Sequence, residues 1–306
     1  MKTSRLVVGC LVAGLLVATI FLVTGFGRAG DERSDALGKL IPKLKPLHKP
    51  LPKPSPNDWL ARHDEPGQTL HQYLRADPVT LTKDRNTIYV QPLGPLTKQE
   101  REIVELSAEY LGLYFNCAVK IRDELSLDLI PQGKRRVHFG DEQILTTYVL
   151  NDVLKSRLPD NAAAYIAFTA TDLWPGKGWN FVYGQASLRN RVGVWSLARN
   201  GDPTESDAAY QLCLLRTLKT ATHETGHMFS IKHCIAHECN MCGRNHRDES
   251  DRSPLYLCPI CMAKICWATN ADPIERYRKL QEFSEENGLE AEAGFFAKSI
   301  QAISTP

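Results

Sequence analysis

The stretch His223-Glu224-Thr225-Gly226-His227, running on to His233-Cys234, decides the reading of this chain. Two histidines four residues apart lie on one face of a helix, so their imidazoles converge on one point. Glu224, beside the first of them, is placed to take a proton from a metal-activated water. His233 completes the spacing H-E-x-x-H-x-x-x-x-x-H. Three neutral imidazoles leave one position of a tetrahedral metal open, which separates a catalytic zinc from a closed structural one. H-E-x-x-H alone also occurs on plain helix surfaces. The third histidine and the cysteines behind it turn the reading toward a metal site.

The chain holds nine cysteines, and six of them (Cys234, Cys239, Cys242, Cys258, Cys261 and Cys266) fall between positions 234 and 266. Beside a histidine motif, such a cluster reads as metal ligands sooner than as a disulfide framework. Four cysteines in pairs suit a closed, all-thiolate zinc site, and Cys258-Pro259-Ile260-Cys261 is the sharper pair.

The combined pattern resembles the archaemetzincins, metzincin-like zinc metallopeptidases whose signature joins the long histidine motif to a methionine and four cysteines. The resemblance is close from His223 to Cys261 and extends to the strand region Asp172 to Arg199; it does not reach before about position 80. It implies an α/β (α+β) domain with a mixed sheet, a long active-site helix and a four-cysteine zinc subsite. It implies that His223, His227 and His233 bind a catalytic zinc, with Glu224 as general base and Met241 as the Met-turn residue beneath the metal. Cys234, Cys239, Cys258 and Cys261 would bind a second, structural zinc. Because Cys234 directly follows His233, that zinc would fix where the third histidine points. Metzincin patterns place glycine three residues after the second histidine, where this chain has Ser230. Keeping the same left-handed geometry with serine would cost about 1 kcal/mol. His237 and His246 are candidate alternative ligands, although their loop positions favour solvated side chains; Cys242 and Cys266 read as spare thiols, a disulfide or replacement ligands.

Upstream, Thr87 to Leu93 reads as a strand, and Thr97 with Glu100 forms a capping-box pattern before a helical periodicity. Cys117 to Ile121 reads as a second strand, Gln143 to Leu158 as a helix, and Ala162 to Thr169 as a buried strand. Phe181 to Ala186 and Val192 to Leu197 form a hairpin, and Asp207 starts the helix of the motif, with Leu212, Leu215 and Leu218 as its apolar stripe. Strands alternating with helices argue for an α/β layer over a helical bundle. The strand Val192 to Leu197 is also a candidate to hold an extended peptide by edge pairing.

At the N-terminus, Leu6 to Phe26 is an uncharged run long enough to span a bilayer as a helix of about 30 Å. It predicts a signal anchor over residues 1–30 and a membrane-anchored, single-pass protein. Lys2 and Arg5 place the domain outside, whereas Arg28, Arg33, Lys39, Lys43 and Lys45, together with the thiolate ligands, favour the cytoplasm; the balance leans extracytoplasmic. A proline- and lysine-rich linker is expected over residues 31–57, followed by the peptidase domain over 58–306.

With 306 residues, 43% apolar and 24% charged, the chain is long enough for one or two globular domains. A net charge of only +2 gives no electrostatic case for nucleic acid as a partner. The expected activity is zinc-dependent hydrolysis of peptide bonds in a peptide or protein substrate, with two zincs per chain. The alternative is a catalytically inactive, zinc-stabilised protein-binding module tethered to a membrane.

Overall fold

The computed structural model describes residues 20–187 and 190–305. Helix α1 (Ile20–Leu44) opens the described chain and lies against the C-terminal helices. Its Leu37 and Leu44 are buried, and Arg33 donates to the carbonyls of Cys266 and Ala271, both at 2.8 Å. No helix among the described residues is long and apolar enough to cross a membrane. That overturns the membrane-anchored, single-pass localisation, and with it the choice of side. The last residues of the expected span, from Ile20, open α1, which runs on to Leu44. Residues 6–19 of that span lie outside the described residues.

The proline-rich part of the expected linker lies docked on the domain. Leu51 N donates to Ala236 O at 3.2 Å, Glu238 N donates to Lys49 O at 3.0 Å, and Pro50 bridges to His237. Two short helices follow, α2 (Trp59–Arg62) and α3 (Leu70–Arg75), the second opened by a Thr69/Gln72 capping box. The Tyr73 hydroxyl donates to Phe229 O at 2.8 Å, and buried Lys264 donates to Gln68 O at 2.6 Å. Residues 48–79 are therefore a strap across the loop that follows His227. Proline lacks an N–H to satisfy, so a proline-rich chain lies on a surface at little cost in hydrogen bonds.

Strand β1 (Thr87–Pro92) is buried at every position, as its β-branched and aromatic residues require of a central strand. Helix α4 (Lys98–Phe115) starts at the predicted capping box, where Thr97 and Glu100 exchange hydrogen bonds. Then come β2 (Ala118–Ile121), β3 (Arg135–His138) and β4 (Asp141–Leu145). The helix expected from Gln143 begins only at α5 (Thr146–Tyr148) and continues as a π-helical stretch, Val149–Leu154, because Gln143 to Leu145 pair with β6 (Asp172–Trp174).

Strand β5 (Ala162–Thr169) falls where the apolar run placed it, and β7 (Gly184–Ser187) and β8 (Val192–Ser196) form the expected antiparallel hairpin. The main sheet has the order β2-β1-β5-β8-β7, parallel except for β7; a smaller sheet has the order β3-β4-β6. Strand β8, expected to hold an extended peptide, is paired on both sides; the edges of the sheet are β2 and β7, and β7 is the one packed against the motif helix.

Alternation along β1 and β5 feeds two cores. Ile88, Val90, Ile166 and Phe168 face α4 and the motif helix, while Tyr89, Tyr165 and Ala167 face Val149, Leu150 and Val153. Helix α6 (Asp207–Met228) carries the motif. Its buried stripe is Leu214, Leu218 and Ala221; Leu212 is exposed, so the apolar face is rotated from the predicted one. After α7 (Arg247–Arg252), helices α8 (Pro259–Thr269), α9 (Pro273–Glu286) and α10 (Glu290–Ser304) complete the domain.

Candidate metal centres

The Ser206 hydroxyl caps α6 by accepting from Ala209 N at 3.2 Å, and the helix runs on until His223, Glu224 and His227 occupy its last two turns. The chain then leaves through Ser230 at φ +66°, the left-handed geometry that glycine adopts more cheaply. Two bonds to the strap accompany that turn. Ser230 Oγ accepts from Val79 N at 3.1 Å, and Ser230 O accepts from Gln68 Nε2 at 3.3 Å.

Each histidine is held from behind by its Nδ1. For His223 the partner is Asn240 O at 2.7 Å, and for His227 it is Ile231 O at 2.6 Å. A carbonyl only accepts, so both rings carry their proton on Nδ1 and present a bare Nε2. Those two Nε2 atoms face each other 3.1 Å apart, lone pair to lone pair, a repulsive contact that a cation between them removes. Two nitrogens on one tetrahedral zinc stand about 3.3 Å apart at normal bond lengths. His233 joins them, its Nδ1 2.7 Å from Glu65 Oε1, with one ring nitrogen of each histidine within 4.8 Å of the others.

Burial pushes His223 well below its ordinary pKa, and His227, Arg244 and His233 add to the shift. His233 is lowered by burial and by His227, against the opposing pull of Glu65. Both are neutral at pH 7, the form that binds a metal. Burial raises Glu224 above the usual carboxylate range, while His227 and Arg244 oppose it. Arg244 donates to Asn240 O at 2.7 Å and to its Oδ1 at 2.6 Å, and Asn240 Nδ2 donates to Thr222 Oγ1 at 2.7 Å. Beneath the histidines, Met241 is 1% exposed, and a Cβ on Gly226 would come 2.6 Å from its sulfur. The glycine inside the motif is what lets Met241 seat there.

Cys234, Cys239, Cys258 and Cys261 are all buried, with their sulfurs within 4.8 Å of one another. Cys234 Sγ and Cys258 Sγ lie 3.7 Å apart, against about 3.8 Å for two sulfurs on one tetrahedral zinc. Cys239 Sγ accepts from the backbone N–H of Cys258 at 3.2 Å and of Met241 at 3.4 Å. The Cys234 thiol is pushed far down by hydrogen bonds from Cys239, then Cys242, Cys258 and Cys261. Cys258 also caps α8, where the helix dipole favours a thiolate. Cys239 is instead pushed well up, by burial first, and Cys261 by its bond to Cys234, so four thiolates here need a cation among them.

Residues 162–266 match the model of a family described as Peptidase family M54. The chain is 32% identical over 268 residues to archaemetzincin-2 of Macaca fascicularis, covering 76% of this chain and 73% of that protein. Against archaemetzincin-2 of Mus musculus it is 33% identical over 276 residues, covering 79% and 76%. This chain belongs to the archaemetzincin family. It is by that membership a zinc metallopeptidase, a hydrolase of peptide bonds. A solved archaemetzincin from Archaeoglobus fulgidus is 29% identical, with a TM-score of 0.45 over 58% of this chain and 99% of that one.

Both donor sets fit zinc, the metal expected of an archaemetzincin: three imidazoles with bare Nε2 atoms, and four sulfurs at zinc-like spacing. The remaining candidates separate from them. Cys242 donates its S–H to His237 O at 3.3 Å, and its thiol is raised by Cys234 and by burial. Cys266 contacts Met262 inside α8 and is pushed up to about 11 by burial. All eight described cysteines are free of disulfides. His237 and His246 are partly exposed, and each also has a protein partner. His237 is half-buried, with a hydrogen bond to Cys258 raising its pKa, and His246 Nε2 lies 3.1 Å from Asp58 Oδ1.

Three residues at the site escaped the sequence reading. Asn240 and Arg244 sit within the motif loop but carry no ligand chemistry of their own. Glu65 lies 168 residues from His233, and no spacing rule connects them.

Proposed function

We propose that the three histidines hold a catalytic zinc, that Glu224 is the general base, and that Cys234, Cys239, Cys258 and Cys261 hold a second, structural zinc. The observation that carries this is the pair of bare Nε2 atoms at 3.1 Å, with His233 beside them and Glu224 on the same helical turn. The peptidase domain is residues 58–306. When bound, the catalytic zinc supplies Lewis-acid activation of water and stabilises negative charge on the scissile carbonyl oxygen.

The chain's own residues do the rest. Glu224 sits next to His223 in an environment that disfavours its charge, so it accepts a proton readily and can pass it to the leaving amine. Asn240 O and Ile231 O keep the His223 and His227 rings in the tautomer that offers Nε2. Met241 gives the site an apolar floor. The free edge of β7 takes an extended peptide by strand addition, since β7 packs against α6 and Thr220 lies beside Gly184.

The test is peptide cleavage by the full chain, with Glu224→Ala as the deciding variant. Its zinc content should be unchanged and its cleavage rate lower by about 10²–10⁴-fold. Retained activity in that variant, or cleavage that survives removal of the metal, would sink the mechanism.

A further inference from the structure

The strap does more than cover the domain. Trp59 lies on the backbone of Gly243, where a Cβ would come 2.3 Å from the indole, and its backbone N–H donates to both oxygens of Glu249 at 3.0 Å. The indole stacks on His63 at 3.8 Å and meets the His233 ring edge-on at 5.2 Å. Its Nε1 donates to Glu65 Oε1 at 2.8 Å, and the same oxygen accepts from His233 Nδ1 at 2.7 Å. The pair is mostly shielded, His233 being 18% and Glu65 20% exposed.

We propose that Glu65, carried on the strap, is a positioning residue of the catalytic centre, holding His233 by Nδ1 so that Nε2 faces the metal. The inference rests on the three-histidine reading above. His223 and His227 are fixed by carbonyls of the motif loop itself. His233 has no such carbonyl; its Nδ1 partner comes from a segment outside the matched residues 162–266. An ionised carboxylate only accepts, so it selects the Nδ1–H tautomer and stops the ring from turning over. Its negative charge also makes the far nitrogen a stronger donor to a cation. Trp59 in turn fixes the carboxylate: its indole N–H fills the second site on Oε1, and its ring wedges between Gly243 and His233. The strap thus supplies the third histidine's outer support, and the catalytic centre is complete only when the strap is seated.

The experiment uses the full chain loaded with zinc and titrated with a competing chelator, in parallel with a cobalt(II)-substituted form read by its visible spectrum. Glu65→Ala should bind the more labile metal about 10–100-fold more weakly, the usual cost of losing such a partner, and should shift the cobalt spectrum. The cysteine-bound metal and the unfolding midpoint should stay near wild type. Glu65→Gln keeps the size and one acceptor but loses the charge, so it should fall between Ala and wild type. Wild-type metal affinity and an unchanged cobalt spectrum in Glu65→Ala would overturn the proposal while leaving the zinc reading intact. A wild-type metal count in His227→Ala would instead remove the three-histidine site, and this proposal with it.

Discussion

The two candidate metal centres share a peptide bond, between His233 and Cys234, and are built in opposite ways. In the cysteine site all four donors are buried, and backbone N–H groups and a helix N-terminus surround the sulfurs. In the histidine site the donors come from one helix end and one loop, and their outer partners come from two segments, the motif loop with Asn240 and Ile231 and the strap with Glu65. The closed site fastens chain to chain. On the proposed reading the open site keeps a coordination position for chemistry and borrows its rigidity from elsewhere. Cys234 N donates to Met241 O at 2.8 Å, which ties the cysteine cluster to the methionine packed on Gly226 of the histidine motif.

The sharpest way to break the comparison is to remove a donor from the closed site. Structural zinc contributes about 10–16 kcal/mol of binding free energy in small zinc domains. Cys261→Ser should therefore lose the structural metal, unfix the 234–261 loop and take the histidine site with it. Zinc per chain should fall toward zero, and cooperative unfolding should weaken. A folded Cys261→Ser with one zinc would mean that the histidine site stands on its own.

A smaller effect is expected at the open site. His227→Ala should fold normally, drop from two zincs per chain to one and lose peptide cleavage. The contrast between these two variants, measured by metal analysis and thermal melting, is the comparison in its simplest form. One zinc in both the wild type and His227→Ala would leave the histidine site empty and return the chain to a binding module.

The contact between the sites and the helix can be sharpened further. Gly226→Ala would place a methyl 2.6 Å from Met241 Sδ, so it should cost about 1–3 kcal/mol of stability through overpacking. Denaturant midpoints give that figure, and a weaker grip on the labile metal should accompany it. The smallest effect belongs to Ser230→Ala. It keeps the left-handed backbone but loses the bond from Val79 N, so about 1 kcal/mol should disappear. An unchanged midpoint would show that the strap does not stabilise this turn.

How far the sequence reached depends on how local the signal was. Strands β1 and β5 and the capping box of α4 were legible because burial and capping write themselves into adjacent residues. The small β3-β4-β6 sheet was not, since Gln143 to Leu145 have no periodicity that separates a short strand from a helix start. The N-terminal apolar run gave a membrane reading from hydropathy alone, and no helix among the described residues is long and apolar enough to bear it out. From Arg33 onward α1 has protein partners.

The sequence by itself singled out the candidate donors. Histidines at fixed spacing on one helix, a glutamate between them and paired cysteines behind carry their chemistry in their types and intervals. Only the tertiary structure decided what stands behind each donor, which strand has a free edge, and that the proline-rich stretch is a strap across the metal loop. Those facts depend on contacts between residues far apart in the chain, such as Glu65 with His233 and Trp59 with Gly243. Neither residue's type nor its neighbours encode such a partner; it is set by where the folded core brings the two segments together.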